Sequence, residues 1–170
     1  MMEFLSVNGS ELLVKTWEHF YLSIISLIIG ILIAVPLGMA IANTKKVSSY
    51  VLTTAGVLQT VPTLAVLALM IPLFGVGRVP AIIALSAYIL LPILNNTIIG
   101  VKNIDPNVRE AAKSMGMTRM QLIWNVELPI AIPLILSGIR LSSVYVISWA
   151  TLASYIGAGG LGDFVFNGLN

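Results

Sequence analysis

Side chains able to do covalent chemistry or to bind metals are scarce in this sequence. It has no cysteine, and its one histidine, His19, has no nearby carboxylate cluster with which to build a metal site. No Gly-x-x-x-x-Gly-Lys-Ser/Thr motif is present, so the chain does not hydrolyse ATP itself. We therefore expect no catalytic residue, metal or cofactor in this chain. A net charge of +2 without a basic, aromatic-rich tract predicts no nucleic-acid partner.

The polar residues concentrate in residues 102–129, which is where the chain can meet a soluble partner. Asp105-Pro106 predicts a helix start, because aspartate caps the free amides of a first turn and proline fits the first helical position. Gly116 predicts the end of that helix in a left-handed cap. A Thr-x-x-Gln capping box at residues 118–121 predicts a second short helix. Leu128-Pro129 predicts its end, because proline lacks an amide and clashes with the preceding turn.

The first of these helices carries a mixed surface. Small or apolar side chains recur at helical spacing on one face, with charged residues around them: Val108, Ala111, Ala112 and Met115, flanked by Arg109, Glu110 and Lys113. Small side chains let another surface approach closely, which favours insertion into a groove of a partner protein. A helix lying on lipid headgroups, with its basic residues toward phosphate, explains the same composition. The residues alone leave both alternatives open.

The spacing in this segment resembles the EAA loop of binding-protein-dependent ABC permeases. That pattern reads Glu-Ala-Ala, three residues, Gly, nine residues, Ile, any residue, Leu-Pro. The matching positions here are Glu110-Ala111-Ala112, Gly116 and Leu128-Pro129, with Val126 at the Ile position. The resemblance implies that the loop inserts into a cleft of a separate ATP-binding subunit. It makes Glu110, Ala111 and Gly116 docking residues, and Ala112, Leu128 and Pro129 residues that shape the loop.

Further segments resemble the osmoprotectant branch of that family, which imports glycine betaine, carnitine, choline and similar quaternary amines. They are residues 59–65, residues 90–97 and the glycine-rich turn at 156–162. Methionine permeases share the glycine-rich turn, so the turn alone is not specific. The resemblance to the osmoprotectant branch therefore rests on residues 59–162 taken together. It implies a type I importer with two identical or homologous permease subunits. It also implies an ATPase dimer that binds ATP and Mg, and an extracellular substrate-binding protein or fused domain.

Long apolar runs flank the polar loop. Of 170 residues, 58% are hydrophobic and 9% are charged, against about 25% charged residues in soluble domains. Runs near residues 20–42, 50–74, 79–101 and 130–156 each suit a helix crossing a hydrocarbon core of about 30 Å. We therefore predict an all-α, polytopic membrane protein with a single transmembrane domain. Members of the family continue into a further helix after the glycine-rich turn, so we expect a last span beyond residue 170.

Basic residues divide unequally between the two sides of these spans. Six of the nine Lys and Arg residues flank one side: Lys45, Lys46, Lys102, Arg109, Lys113 and Arg119. The positive-inside rule makes that side cytoplasmic, with residues 102–129 inside and the amino terminus outside a bacterial cell membrane. Acidic residues before the first span argue against a cleaved signal peptide. His19 and Asp163 are expected to be solvated at the outer surface.

Polar and aromatic residues within the apolar runs are candidates for the translocation path. Pro62 is flanked by polar residues, and a proline in such a setting favours a helix break that faces a cavity. The candidate set is Gln59, Thr60, Pro62, Tyr88, Asn96 and Trp149. For the amides, hydrogen bonding between helices is an open alternative. For the aromatic rings, including Tyr145, packing or an interfacial position is a simpler explanation than contact with a quaternary ammonium.

Other functions stay open at this point. An ion-coupled secondary transporter needs ionisable residues within its spans, and the first three predicted spans contain no Asp, Glu or Lys. A purely structural membrane subunit requires the loop spacing to be a coincidence. A permease of the same family for an amino acid or a related betaine is a further alternative, because the residues do not name the solute.

Overall fold

The structure is a computed structural model that describes residues 2–168, with side chains from residue 8 onward except that of Lys45. Every regular element in those residues is helical, which confirms the predicted all-α class. The α-helices are α1 Met2–Ile41, α2 Lys45–Gln59, α3 Thr63–Phe74, α4 Arg78–Lys102, α5 Pro106–Ser114, α6 Arg119–Leu122, α7 Leu128–Ala153 and α8 Gly162–Asn167. A π-helical turn, Ile123–Glu127, joins α6 to α7, and a 3-10 turn, Ser154–Ile156, follows α7.

Helical segments long and apolar enough to cross a membrane occur three times in the described part of the chain. They are Asn8–Ile41, Arg78–Lys102 and Arg119–Ile156. They overlap the apolar runs predicted at residues 20–42, 79–101 and 130–156 and extend beyond them. The extensions contain charged residues such as Lys15 and Arg119. Long charged side chains are good helix formers, so the helices continue past their apolar parts.

The apolar run at residues 50–74, predicted as one span with a break at Pro62, is broken at that proline. Two helices, Lys46–Gln59 and Thr63–Phe74, meet at an angle of 93°. Pro62 adopts an extended conformation with φ −57° and ψ 136° between them. Proline disfavours helical geometry in the residue before it, so the chain leaves the helix at this point. Each helix by itself is shorter than the about 20 residues that a crossing needs, and the run is therefore a bent pair.

The helix end predicted at Leu128-Pro129 is wrong. The helix continues from Arg119 to Ile156 through the π-helical turn, where the Leu128 amide bonds to the Ile123 carbonyl five residues earlier. In a regular α-helix the ring of Pro129 would meet the carbonyl four residues before it. The wider π turn relieves that conflict, so the proline lies in the first turn of α7 without breaking the helix.

The chain forms two compact units, of which the first comprises Met1–Ile29, Thr60–Ile89 and Ser143–Asn170. Its core combines large apolar side chains with alanines: Leu22, Leu67, Leu85, Ile89, Val146 and Ile156 with Ala81, Ala84, Ala150, Ala153 and Ala158. Apolar burial gives little driving force between helices in lipid, so close packing must supply the attraction. The alanines allow that packing because they bring helix backbones near one another.

The second unit comprises Gly30–Gln59 and Leu90–Ser142. Two glycines mark where its helices approach most closely. A Cβ atom at Gly38 of α1 would lie 2.7 Å from the Thr97 side chain of α4. A Cβ atom at Gly138 of α7 would lie 2.9 Å from the Pro92 carbonyl oxygen. Both contacts are tighter than van der Waals packing permits, so only glycine fits at these positions.

Candidate functional site

Helix α5 exposes two of the predicted docking residues and buries the next one. Glu110 and Ala111 are exposed, whereas Ala112 is 1% exposed. The single face expected to include both alanines is therefore wrong, because adjacent residues in an α-helix point about 100° apart. Ala112 anchors the helix from within. Met115, at the end of α5, is 70% exposed and extends the outward apolar surface.

Local capping holds α5 and α6 in the predicted places. The Asp105 carboxylate accepts the Asn107 amide at 2.8 Å, and Pro106 opens the helix. Gly116 has φ +80°, and its amide bonds back to Lys113 while the next amide bonds to Ala112, which is a Schellman cap. The capping box between Thr118 and Gln121 is formed in both directions. The helix–glycine–helix elbow is confirmed.

A buried carboxylate lies beneath this elbow. Glu127, the last residue of the π-helical turn, is 1% exposed. Its Oε1 accepts a hydrogen bond from Arg109 Nε at 2.8 Å and from Asn43 Nδ2 at 3.3 Å. A terminal guanidinium nitrogen of Arg109 also donates to the carbonyl of Val101. Residues from α5, from the chain after α1, from α4 and from the π turn therefore meet at one ion pair.

Glu127 is not among the functional residues that the sequence predicts. It occupies the unspecified position of the EAA pattern, and Arg109 is predicted among the charged residues around the face of the first loop helix. The available signal was a lone carboxylate directly before a long apolar run, which requires a cationic partner if it is buried. The partner is not deducible by spacing, because Arg109 lies 18 residues earlier in the sequence.

Two of the predicted path residues lie in direct contact in the first unit. The rings of Tyr88 and Trp149 meet edge to face with centroids 5.2 Å apart, and Trp149 stacks on Tyr145 at 5.1 Å. The Tyr88 hydroxyl donates to the carbonyl of Val61, directly before Pro62. The rings thus contact one another, and the tyrosine hydroxyl holds the segment between α2 and α3.

The remaining path candidates differ in exposure and in the unit to which they belong. Asn96 Nδ2 donates to the Pro92 carbonyl of its own helix at 2.8 Å. Thr60 and Pro62 are exposed, and Gln59 is half-buried. Gln59 and Asn96 belong to the second unit, whereas Thr60, Pro62, Tyr88 and Trp149 belong to the first.

A charge network on the glycine-rich turn was not anticipated. Lys15 Nζ donates to Asp163 at 2.6 Å and lies 3.4 Å from Glu18. Glu18 also accepts from the Arg78 guanidinium and from the Gly160 amide, the latter at 3.2 Å. These carboxylates bind cations of the chain itself. In the described residues no group of three or more His, Asp or Glu side chains has an arrangement suited to a metal ion.

Two expectations about this region are wrong. His19 is 6% exposed instead of solvated, and its Nε2 lies 3.0 Å from the Ile147 carbonyl. Asp163 is partly buried, with 26% of its side chain exposed, and it is ion-paired. The reason is the glycine-rich turn, which packs over this part of α1: a Cβ atom at Gly160 would lie 3.3 Å from the His19 ring.

Comparison with known proteins assigns the chain to a family. The family model described as "Binding-protein-dependent transport system inner membrane component" matches residues 26–170. The chain belongs to this family. It is the permease subunit of an ATP-binding-cassette importer and a multi-pass inner-membrane protein, and the predicted resemblance is confirmed.

Several curated relatives match the whole of this permease. The carnitine transport permease protein of Listeria monocytogenes is 58% identical over 100% of this chain and 78% of the relative. The glycine betaine/carnitine/choline transport system permease protein of Bacillus subtilis is 54% identical over the same shares. The choline transport system permease protein of Bacillus subtilis is 51% identical, again over 100% of this chain and 78% of its own.

Solved structures share the fold of the permease. An inward-facing conformation of the MetNI methionine ABC transporter has a TM-score of 0.82 at 23% identity, covering 92% of this chain and 79% of that one. An amino acid ABC transporter with histidines has a TM-score of 0.64 at 26% identity, covering 93% and 78%. The predicted type I importer architecture is confirmed.

Proposed function

We propose that this permease imports a small quaternary amine of the osmoprotectant class, such as glycine betaine, carnitine or choline. The observation that carries the proposal is the agreement of three relatives, at 51% to 58% identity, whose names specify transport of these solutes. The three solutes share a trimethylammonium group and differ in the rest of the molecule. The common chemical requirement is therefore a path that accepts a bulky, permanently charged cation.

Energy for import comes in this proposal from a partner ATPase dimer that binds ATP and Mg and docks on α5. Glu110, Ala111 and Gly116 form the docking surface, which Met115 extends. Its support is that Glu110, Ala111 and Gly116 are exposed while Ala112 is buried. A short helix attached at one face and free at the other suits insertion into a groove. Ala112, Leu128 and Pro129 hold this surface in place.

The proposed topology places residues 43–49 and 102–129 in the cytoplasm and the amino terminus outside. The excess of Lys and Arg in these two segments supports it. A second permease subunit, identical or homologous, completes the pathway. An extracellular binding protein or fused domain then delivers the solute at the opposite side, near the glycine-rich turn.

The proposed translocation path runs along the bend between α2 and α3. Its candidate residues are Gln59, Thr60, Pro62, Tyr88, Asn96 and Trp149. The break at Pro62 supports a path here, because helix breaks in transporters leave backbone groups available to a water-filled cavity. The hydrogen bond from Tyr88 to the Val61 carbonyl places this tyrosine beside the break. Aromatic faces near such a break attract a quaternary ammonium.

Uptake into proteoliposomes tests the proposal. The permease is purified with its co-expressed ATPase, second permease subunit and binding protein, and radiolabelled glycine betaine, carnitine and choline are offered with ATP inside. We expect ATP-dependent uptake of at least one of them. Glu110→Gln should lower uptake at least about tenfold, which corresponds to about 1.4 kcal/mol of lost interaction. Glu11→Gln is the matched control, because Glu11 is an exposed glutamate of α1 outside the proposed interface.

Three results would each contradict a part of the proposal. Uptake that follows an ion gradient without the ATPase would identify a secondary transporter instead. Normal ATP-driven uptake by both Glu110→Gln and Gly116→Ala would show that this elbow does not dock the motor. Transport of an amino acid but none of the three amines would keep the importer and replace its substrate.

A further inference from the structure

The Arg109–Glu127 ion pair is placed where a docking helix meets the membrane helices. Arg109 directly precedes Glu110 in the sequence. The same turn of α5 therefore carries a docking residue that points outward and a cation that points inward. Its guanidinium reaches two separate places at once, Glu127 on the π turn and the Val101 carbonyl at the end of α4. A planar guanidinium with several fixed donors holds such a double contact in one orientation.

Apolar packing is interrupted beside the ion pair, although Ala112 packs inward elsewhere on α5. A cavity of about 490 Å³ lies beside the ion pair, and Met39, Leu122 and Ile123 line it together with Arg109 and Glu127. Side chains that face each other across this pocket exert little force on one another, because dispersion contacts fall off within about an ångström. On the side of the pocket, the polar bridge is therefore the direct connection between α5 and the base of α7.

The buried ion pair between Arg109 and Glu127 fixes the relative position of these two residues more than it adds to the free energy of unfolding. Glu127 is 1% exposed and belongs to the helix that continues to Ile156, so its carboxylate needs a cation in every state that keeps it buried. Asn43, just after α1, donates to the same oxygen at 3.3 Å. Movement of Arg109 thus bears on the ends of three long helices: α1 through Asn43, α4 through Val101 and α7 through Glu127.

We infer that Arg109 and Glu127 are positioning residues that transmit the displacement of α5 to the membrane helices, with Asn43 as a weaker third member. The inference rests on the proposed docking of the ATPase at α5 and adds the route by which docking moves the permease. Docking residues determine whether the motor binds. Arg109 and Glu127 determine how much transport each ATP produces.

The test measures ATP hydrolysis and glycine betaine uptake on the same proteoliposomes, with the complete complex and its binding protein. For Glu127→Gln and Arg109→Gln we expect hydrolysis within about twofold of the unaltered complex and uptake per ATP lowered about tenfold, a change within the range of coupling free energies. Arg109→Lys should be intermediate, because an ammonium keeps the charge but does not reproduce the fork. Asn43→Ala should lower the ratio by less, about threefold. Arg119→Gln is the control, since Arg119 is exposed and lines the same cavity without bonding to Glu127.

Two outcomes overturn the inference. One is an unchanged ratio of uptake to hydrolysis in both Glu127→Gln and Arg109→Gln. The other is a parallel loss of both activities and of the amount of assembled complex in all three variants, including Arg109→Lys, the mildest change; that result shows a purely structural role. Absence of ATP-driven uptake in the unaltered complex is a separate result that overturns the proposed function itself.

Discussion

Lys15 and Asp163 form an ion pair of 2.6 Å although 148 residues separate them in the sequence. Lys15 lies in α1, and Asp163 lies in the first turn of α8, directly after the glycine-rich turn. Glu18, one turn further along α1, accepts the amide of Gly160 in that same turn. The ion pair and the backbone contact together fix the position of the glycine-rich turn on α1.

Removing the Lys15 charge should loosen this attachment. The two side chains are 22% and 26% exposed, so their interaction lies near the upper end of the about 0.2–1 kcal/mol measured for exposed pairs. We expect Lys15→Gln and Asp163→Asn each to lower the thermal unfolding temperature in detergent by about 2–4 °C. The difference should shrink in high salt, because ions screen a partly exposed pair.

Lys46→Gln is the matched control for this measurement. It removes the same charge from an exposed lysine of α2 that belongs to the other unit. An equal loss of stability in Lys46→Gln and Lys15→Gln would show that net charge, and not the contact with Asp163, sets the unfolding temperature.

The parts of the elbow that the sequence predicts are the helix caps, whose hydrogen bonds join residues close together in the sequence. Asp105, Gly116 and Thr118 each bond to atoms within five residues, so their types and spacing suffice. The ion pair of Arg109 with Glu127 and that of Lys15 with Asp163 depend on how helices pack, which spacing does not encode. Pro129 shows the limit of a local rule: the proline predicts a helix end, but a π turn absorbs its steric conflict and the helix continues.

Gly116 should accept asparagine better than alanine. Its φ of +80° lies in the left-handed region, where a Cβ atom is disfavoured by about 1–2 kcal/mol and asparagine is the best tolerated of the larger residues. Apart from Gly116 and its two chain neighbours, no described residue has an atom within 4 Å of the position a Cβ would take, so backbone strain is the main effect. Co-purification of the ATPase should fall in Gly116→Ala and recover in part in Gly116→Asn. Equal retention in both variants would show that the cap geometry is not needed for docking.

Tyr88→Phe should weaken the break between α2 and α3. The substitution deletes the hydroxyl that donates to the Val61 carbonyl and keeps the ring against Trp149. Hydrogen bonds between membrane helices average about 0.6 kcal/mol, so the loss of stability should be of that size, with a larger fractional loss of uptake if the break lines the path. Tyr145→Phe is the control: it removes the same group from a ring that stacks on Trp149 and is 38% exposed. Matching losses in the two variants would contradict a role specific to Tyr88.

Helices α7 and α4 approach closely at Gly138, so alanine at this position should affect stability very differently from alanine at Gly56. A Cβ atom there would lie 2.8 Å from the Asn96 Cβ and 2.9 Å from the Pro92 carbonyl oxygen, and the backbone oxygen has little room to move. Gly138→Ala should therefore cost about 1–3 kcal/mol of unfolding free energy, the usual range for overpacking. At Gly56, in the interior of α2, a Cβ atom would meet nothing within 4 Å among the described residues, so Gly56→Ala should be neutral or stabilising by up to about 1 kcal/mol through helix propensity. Denaturant titration of the purified protein in mixed micelles measures both. A Gly138→Ala variant as stable as Gly56→Ala would mean that α4 and α7 separate at little cost, and that the contact at this glycine does not hold the second unit together.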